Sequence, residues 1–188
     1  AYRERSIGLG AMGFHAYLQK NNIPFEGPVA ASANHMIFKH IKDGAMEETL
    51  QLAVERGACP DDDSCRVRNA HLLAIAPNAS SSIICGNTSP SDMEKEVFKT
   101  AVEINQAWVI EHAAERQQFI CQSQSLNLFF PPDVNKGELH NIHMVAWAKN
   151  LKTLYYLRSE AISRADNVSN EVKREIIFEQ QDCLSCEG

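Results

Sequence analysis

Three stretches of this 188-residue chain combine residue types that can do chemistry. Near the C-terminus, Cys183-Leu184-Ser185-Cys186 sets two thiols at a Cys-x-x-Cys spacing. Such a pair closes into a small disulfide loop, and its thiolate exchanges through a mixed disulfide wherever a target can reach it. Zinc is disfavoured, because a structural site takes four ligands and neither a second Cys-x-x-Cys nor a His-x-x-x-His is present. Two incidental thiols on a frayed end remain the bland alternative. The second stretch, Pro77-Asn78-Ala79-Ser80-Ser81-Ser82, offers hydroxyls and backbone N–H groups to a phosphate, although serine-rich turns also cap helices. The third is Lys152-Thr153-Leu154-Tyr155-Tyr156-Leu157, with two adjacent phenols. On a regular strand, neighbouring side chains face opposite sides, so one ring would pack inward and the other face a cavity or partner. A local kink would instead stack the rings and let a hydrogen atom pass between them; strand propensity alone also accounts for the pair.

The elements that must position these groups follow from hydrophobic spacing. Gly8, Gly10 and Gly13 stand at a G-x-G-x-x-G spacing, but the preceding Tyr2-Arg3-Glu4-Arg5 is charged and unlike a strand. Small residues that let a helix pack closely are therefore expected, rather than a dinucleotide turn. Helical spacing runs from Pro28 to Arg56 and stops at Gly57. Cys59-Pro60-Asp61-Asp62-Asp63-Ser64-Cys65 reads as an exposed turn, since a calcium loop spaces its oxygens on alternate residues. The spacing then predicts a buried strand over 71–76, a helix over 93–118, a strand over 119–130, a helix over 136–149 and a final buried strand over 151–157. From Ser159 onward the chain is polar apart from Ile176, Ile177 and Phe178, too little apolar surface to offset its ordering entropy. The expected organisation is one α/β domain over 1–158 and a flexible tail over 159–188.

Composition narrows the function. With 44% hydrophobic residues and a net charge of −6, the chain can form one core and has no general pull toward nucleic acid or an anionic membrane. No run of about 18 apolar residues and no signal peptide is visible, so neither membrane spanning nor secretion is expected. Six scattered cysteines do not form a small disulfide scaffold and suit a reducing cytoplasm. The first residue is Ala1, not Met, and the chain is expected to be part of a longer protein.

In this order, Arg5-Ser6-Ile7-Gly8-Leu9-Gly10, Pro77-Asn78-Ala79-Ser80-Ser81, Cys121-Gln122-Ser123-Gln124-Ser125-Leu126-Asn127, Lys152-Thr153-Leu154-Tyr155-Tyr156 and Cys183-x-x-Cys186 resemble the C-terminal part of the large catalytic subunit of aerobic class I ribonucleotide reductase. The resemblance covers nearly the whole chain. It implies the C-terminal half of a ten-stranded α/β barrel, helix-rich, with a disordered C-terminal tail. It also implies the reduction of ribonucleoside diphosphates to deoxyribonucleotides by radical chemistry. Pro77, Asn78, Ala79, Ser80 and Ser81 would bind the substrate's phosphates. Tyr155 and Tyr156 would relay a radical from a separate small subunit, which carries the metal-radical cofactor. Cys183 and Cys186 would re-reduce the active site and be reduced in turn by thioredoxin or glutaredoxin. The helix over 136–149, with Leu139, Ile142, Met144, Val145 and Trp147, would border the groove for the small subunit.

The departures from the family are equally specific. The residues expected to carry the thiyl radical, the acid/base carboxylate and the turnover dithiol lie upstream of Ala1, as do the regions that bind ATP and deoxynucleotide effectors. The chain thus holds no cofactor of its own and needs the upstream part of the large subunit as a partner. After Ser91 a family segment of several dozen residues is missing. Cys59, Cys65, Cys85 and Cys121 match no catalytic cysteine and are read as structural. Half a barrel has open strand edges, so the isolated chain is expected to associate. The alternative is a non-catalytic remnant that serves as an assembly or small-subunit-binding module.

Overall fold

A computed structural model of the chain describes residues 1–61, 64, 66–85 and 97–159. Four extended segments lie side by side in chain order, all parallel. The first bonds to the second through Ile7 N–H to His71 O (3.0 Å), Leu9 N–H to Leu72 O (2.8 Å) and Ala74 N–H to Leu9 O (3.1 Å). The second bonds to the third through Gln122 N–H to Leu73 O, Ile75 N–H to Ser123 O, and Ser125 N–H to Ile75 O (2.7 Å). The third continues into β1 (Leu128–Phe130), which pairs in parallel with β2 (Leu157–Ser159), Leu128 opposite Leu157.

Parallel neighbours need a long crossover, and each crossover here carries helix. α1 (Phe14–Lys20) and α2 (Pro28–Arg56) link the first two segments; α3 (Ala79–Ile84) and α4 (Gln106–Gln117) link the next two; α5 (Lys136–Ala148) leads to β2. α2 has the expected bounds. Pro28 opens it, where no N–H is needed, and Gly57 follows it at φ 82°, a left-handed conformation that glycine adopts without strain. α4 and α5 are each opened by an asparagine side chain: Asn105 accepts from Ala107 N–H at 2.9 Å and Asn135 from Gly137 N–H at 2.7 Å.

Several expectations from spacing are corrected. Gly8 and Gly10 lie on the first extended segment, not on a helix. A Cβ on Gly10 would sit 2.8 Å from Ala74 O, so the small residue serves close approach of two neighbouring segments. The helix expected over 93–118 begins only at Gln106. Ahead of it the Glu103 carboxylate accepts both the N–H and the hydroxyl of Thr100 at 2.8 Å, which closes a turn; residues 93–96 lie outside the described residues. The strand expected over 119–130 is the end of a turn at 118–119, a bend at 121–122, an extended stretch, and three residues of β1. The run 71–76 is extended, with isolated pairings at Leu73 and Ile75. The final strand is exposed instead of buried.

The apolar packing shows what holds the ladder. α2 lies on the second segment through Phe38, Leu72, Leu73 and Ile120. α4 and α5 cover the third through Ile110, Ala113, Ala146, Leu126, Leu128 and Phe130, the last three alternating along one face. α1 closes against α2 through Leu18, Ala30 and Ala33. Removing these side chains from water is the main favourable term. Buried polar groups then tie elements together: Asn34 donates to His112 O (2.9 Å), and His112 Nε2 donates to Phe25 O (2.8 Å). Gln124 donates to Ala113 O and Gln117 Oε1 and accepts from Arg116 Nε at 2.6 Å, which fixes the end of α4 to the third segment. Burial lowers the Arg116 guanidinium pKa to about 10.

Candidate functional site

The serine-rich turn follows the second extended segment. Pro77 and Asn78 form the turn itself, and Ala79, Ser80 and Ser81 already belong to α3, so the serines open a six-residue helix instead of preceding one. Ser81 Oγ donates to Asn78 Oδ1 at 3.4 Å. Two cavities flank the turn. One of about 220 Å³ includes Gly8, Gly10, Ala74 and Asn78; the other, of about 320 Å³, includes Pro77, Ser123, Ser125, Thr153 and Tyr155. The second cavity brings the turn and the first tyrosine together.

Two interactions carry the tyrosines to that cavity. Lys152 Nζ donates to the carbonyls of Ile120, Cys121 (2.7 Å) and Gln122, and Thr153 Oγ1 donates to Gln124 O at 3.2 Å. The Lys152-Thr153 pair is thereby clamped to the third segment. Beyond it, Tyr155 N–H donates to Leu126 O (2.8 Å), whereas the ladder bond back from Leu128 N–H goes to Tyr156 O (2.9 Å). Tyr156 N–H has no ladder partner and donates to Asn127 Oδ1 at 3.3 Å. Two residues thus occupy the place of one, as in a bulge, and adjacent side chains are released from facing opposite ways. The rings lie 4.2 Å apart between centroids, inclined at 56°. The kinked arrangement is the one observed.

The neighbouring Tyr156 phenol, through hydrogen bonding and then through charge, pushes the Tyr155 pKa above the usual phenol value. Two phenols whose rings lie this close can exchange a hydrogen atom with little movement.

The other sequence-derived residues divide clearly. Leu139 and Ile142 of α5 pack into the core, while Met144, Val145 and Trp147 are exposed, Trp147 by 74%. A groove of about 480 Å³ runs past Asn135, Glu138, Asn141, Ile142 and Val145. Cys59 is buried and Cys85 exposed. Cys121 Sγ accepts N–H groups from Leu72 (3.0 Å) and Leu73 (3.2 Å). Burial pushes its pKa up, but these bonds and Lys42 outweigh it and leave the thiol below its usual value. Cys65, Cys183 and Cys186 lie outside the described residues. Among the described residues, no cluster of three or more His, Cys, Asp or Glu is placed to hold a metal ion, and no helix is long and apolar enough to cross a membrane.

Sequence reading missed Ser123 and Ser125 as lining of the shared cavity. Ser125 Oγ is buried there with no hydrogen-bond partner. The signal was available: residues 123 and 125 are two apart on an extended segment and share a face.

A parallel, helix-connected ladder, with the Pro77 turn and Tyr155 at one cavity, defines a domain of the α/β class. The ribonucleotide reductase barrel domain matches residues 1–66 and 89–157, more than two thirds of the chain, and the chain belongs to that family. It is 39% identical, over 90% of its length, to the large subunit of ribonucleoside-diphosphate reductase from Invertebrate iridescent virus 6, and covers 24% of that protein. It is 36% identical, over its full length, to the large subunit from Invertebrate iridescent virus 3, and covers 39% of it. Among solved structures, the alpha subunit of the class Id ribonucleotide reductase of Actinobacillus ureae matches with a TM-score of 0.80 and 31% identity, over 85% of this chain and 40% of that one. The chain thus spans roughly a quarter to two fifths of these relatives. The viral alignments run over 231 and 248 residues, more than the 188 of the chain, so both relatives carry additional residues inside the matched region.

Proposed function

We propose that the chain forms part of the large subunit of a cytoplasmic ribonucleoside-diphosphate reductase and contributes its radical relay. The observation that carries this reading is the pair of tyrosine rings 4.2 Å apart beside a cavity shared with Pro77, in a chain of this family. The relay step balances within the pair. A phenoxyl radical on Tyr156 takes one electron and one proton from Tyr155, breaking one O–H bond and forming another, and leaves the radical on Tyr155 beside the substrate cavity. The radical originates at the metal cofactor of a separate small subunit, which docks along α5. The turn from Pro77 to Ser81 holds the diphosphate of the substrate, Cys183 and Cys186 return electrons from thioredoxin or glutaredoxin, and the upstream part of the subunit supplies the cysteines that act on the ribose.

The test is reconstitution. Combined with a small subunit and the upstream part of a related large subunit, the chain should yield deoxyribonucleotides from ribonucleoside diphosphates. Tyr155→Phe and Tyr156→Phe should each abolish turnover and leave nucleotide binding unchanged. Turnover by either variant would refute the relay. Small-subunit binding with no turnover under any condition would favour the non-catalytic assembly module.

A further inference from the structure

We propose that Arg158 is a positioning residue for Tyr156, holding its ring where it meets Tyr155. The guanidinium carbon of Arg158 lies 5.0 Å from the centroid of the Tyr156 ring, within the distance at which a cation is attracted to the negative face of an aromatic ring. The placement follows from the backbone. Residues two apart on an extended segment share a face, so Arg158 in β2 overlies Tyr156 as a consequence of strand geometry, while the bulge brings Tyr155 to the same ring.

Burial cannot fix this ring, because Tyr156 is half exposed. Its orientation rests on its few contacts, of which Tyr155 and Arg158 are the aromatic and the charged one. Among the described residues, Arg158 forms no ion pair with a carboxylate. Beside it opens a cavity of about 700 Å³, lined by Thr100, Ala101, Val102, Phe129, Leu157 and Ser159, in which Arg158 is the one charged lining residue among the described residues. A planar guanidinium suits stacking better than an ammonium, so lysine should replace it only in part.

The functional consequence rests on the relay reading above; the structural one does not. In the full chain with labelled tyrosines, the NMR cross-peak between the rings of Tyr155 and Tyr156 reports their contact. Amide exchange at Leu128, whose N–H is bound to Tyr156 O, reports the ladder. Arg158→Met should weaken the cross-peak about two- to fivefold, the population change expected for losing one exposed cation–π contact. Exchange at Leu128 should stay the same, and Arg158→Lys should recover part of the signal. In the reconstituted reductase, Arg158→Met should slow radical transfer by a similar factor with nucleotide binding unchanged. An unaltered cross-peak in Arg158→Met overturns the proposal, as does unslowed transfer in a reductase that Tyr156→Phe silences. A weakened cross-peak in a reductase that tolerates Tyr156→Phe upholds the positioning and refutes the relay instead.

Discussion

Leu128 and Leu157 face each other across one parallel ladder, yet the first is 1% exposed and the second 51%. The difference comes from what covers each segment. α4 and α5 lie on the third segment and bury Leu126, Leu128 and Phe130, whereas on β2 all three residues are exposed. Parallel sheets are normally covered on both faces, so the two ends of this ladder differ as a finished region differs from one that awaits a neighbour. The helix-backed part supplies the stability. The exposed end carries the tyrosines, whose rings are about half exposed.

Substituting the same residue type on both sides breaks this comparison most directly. Leu128→Ala should cost about 3 kcal/mol of folding stability, as truncation in a filled core does. Leu157→Ala should cost less than about 1 kcal/mol in the isolated chain. Denaturant unfolding followed by helix content measures both. Equal losses would mean that β2 is covered in solution, through association of chains at the open edge, and the Leu157→Ala loss should then grow with protein concentration.

A smaller effect separates the two regions by pH. His15 and His112 sit among Phe14, Phe25 and Trp108 between α1, α2 and α4, and burial holds both below the usual histidine value of 6.5. Their backbone hydrogen bonds, and the charges of Arg116 and Glu111 near His112, do not reverse that direction. With folded pKa values below the unfolded ones, the unfolded chain binds more protons as the pH drops past 6.5, and stability is lost there. Above that pH both rings are neutral in either state and the contribution is fully present. Unfolding midpoints should therefore fall between pH 7.5 and pH 5, while the environment of Tyr155 and Tyr156, which includes no histidine, should not change. Glu26 does not confuse the reading. Lys99 and the Asn105 N–H outweigh its burial and lower its pKa, so its contribution disappears at more acidic pH.

How much of this was legible in the sequence depended on whether the signal was local. α2 and α5 were readable because Pro28, Gly57 and regular apolar spacing act within each helix. α4 was read too long because apolar spacing continues through Val97, Ala101 and Ile104, and spacing alone does not register the side-chain turn made by Thr100 and Glu103. The ladder was only partly readable, since segments joined by two or three bonds lack a strand's length. Gln124 was out of reach: it is a polar residue in a polar stretch, and its burial depends on Ala113, Arg116 and Gln117 of another element. The turn at Pro77 and the tyrosine pair were recognised by type and order, but their shared cavity is a tertiary fact.

The tyrosine contact yields the smallest and most discriminating effect. Tyr155 is held above the usual phenol pKa by the hydrogen bond and the charge of Tyr156, with a minor part from burial. Tyr156→Phe should therefore bring the Tyr155 titration back toward about 10, although the neighbouring ring and its apolar contact remain. Site-specific carbon labelling of the Tyr155 ring, followed by NMR across alkaline pH, reads this without interference from Tyr2 or Tyr17. An unchanged titration would place the cause in burial, and burial is what the open end of the ladder lacks. A lowered one would show that the raised value of this exposed phenol comes from its partner, so that the contact of the two rings, and not their burial, sets the titration of the pair.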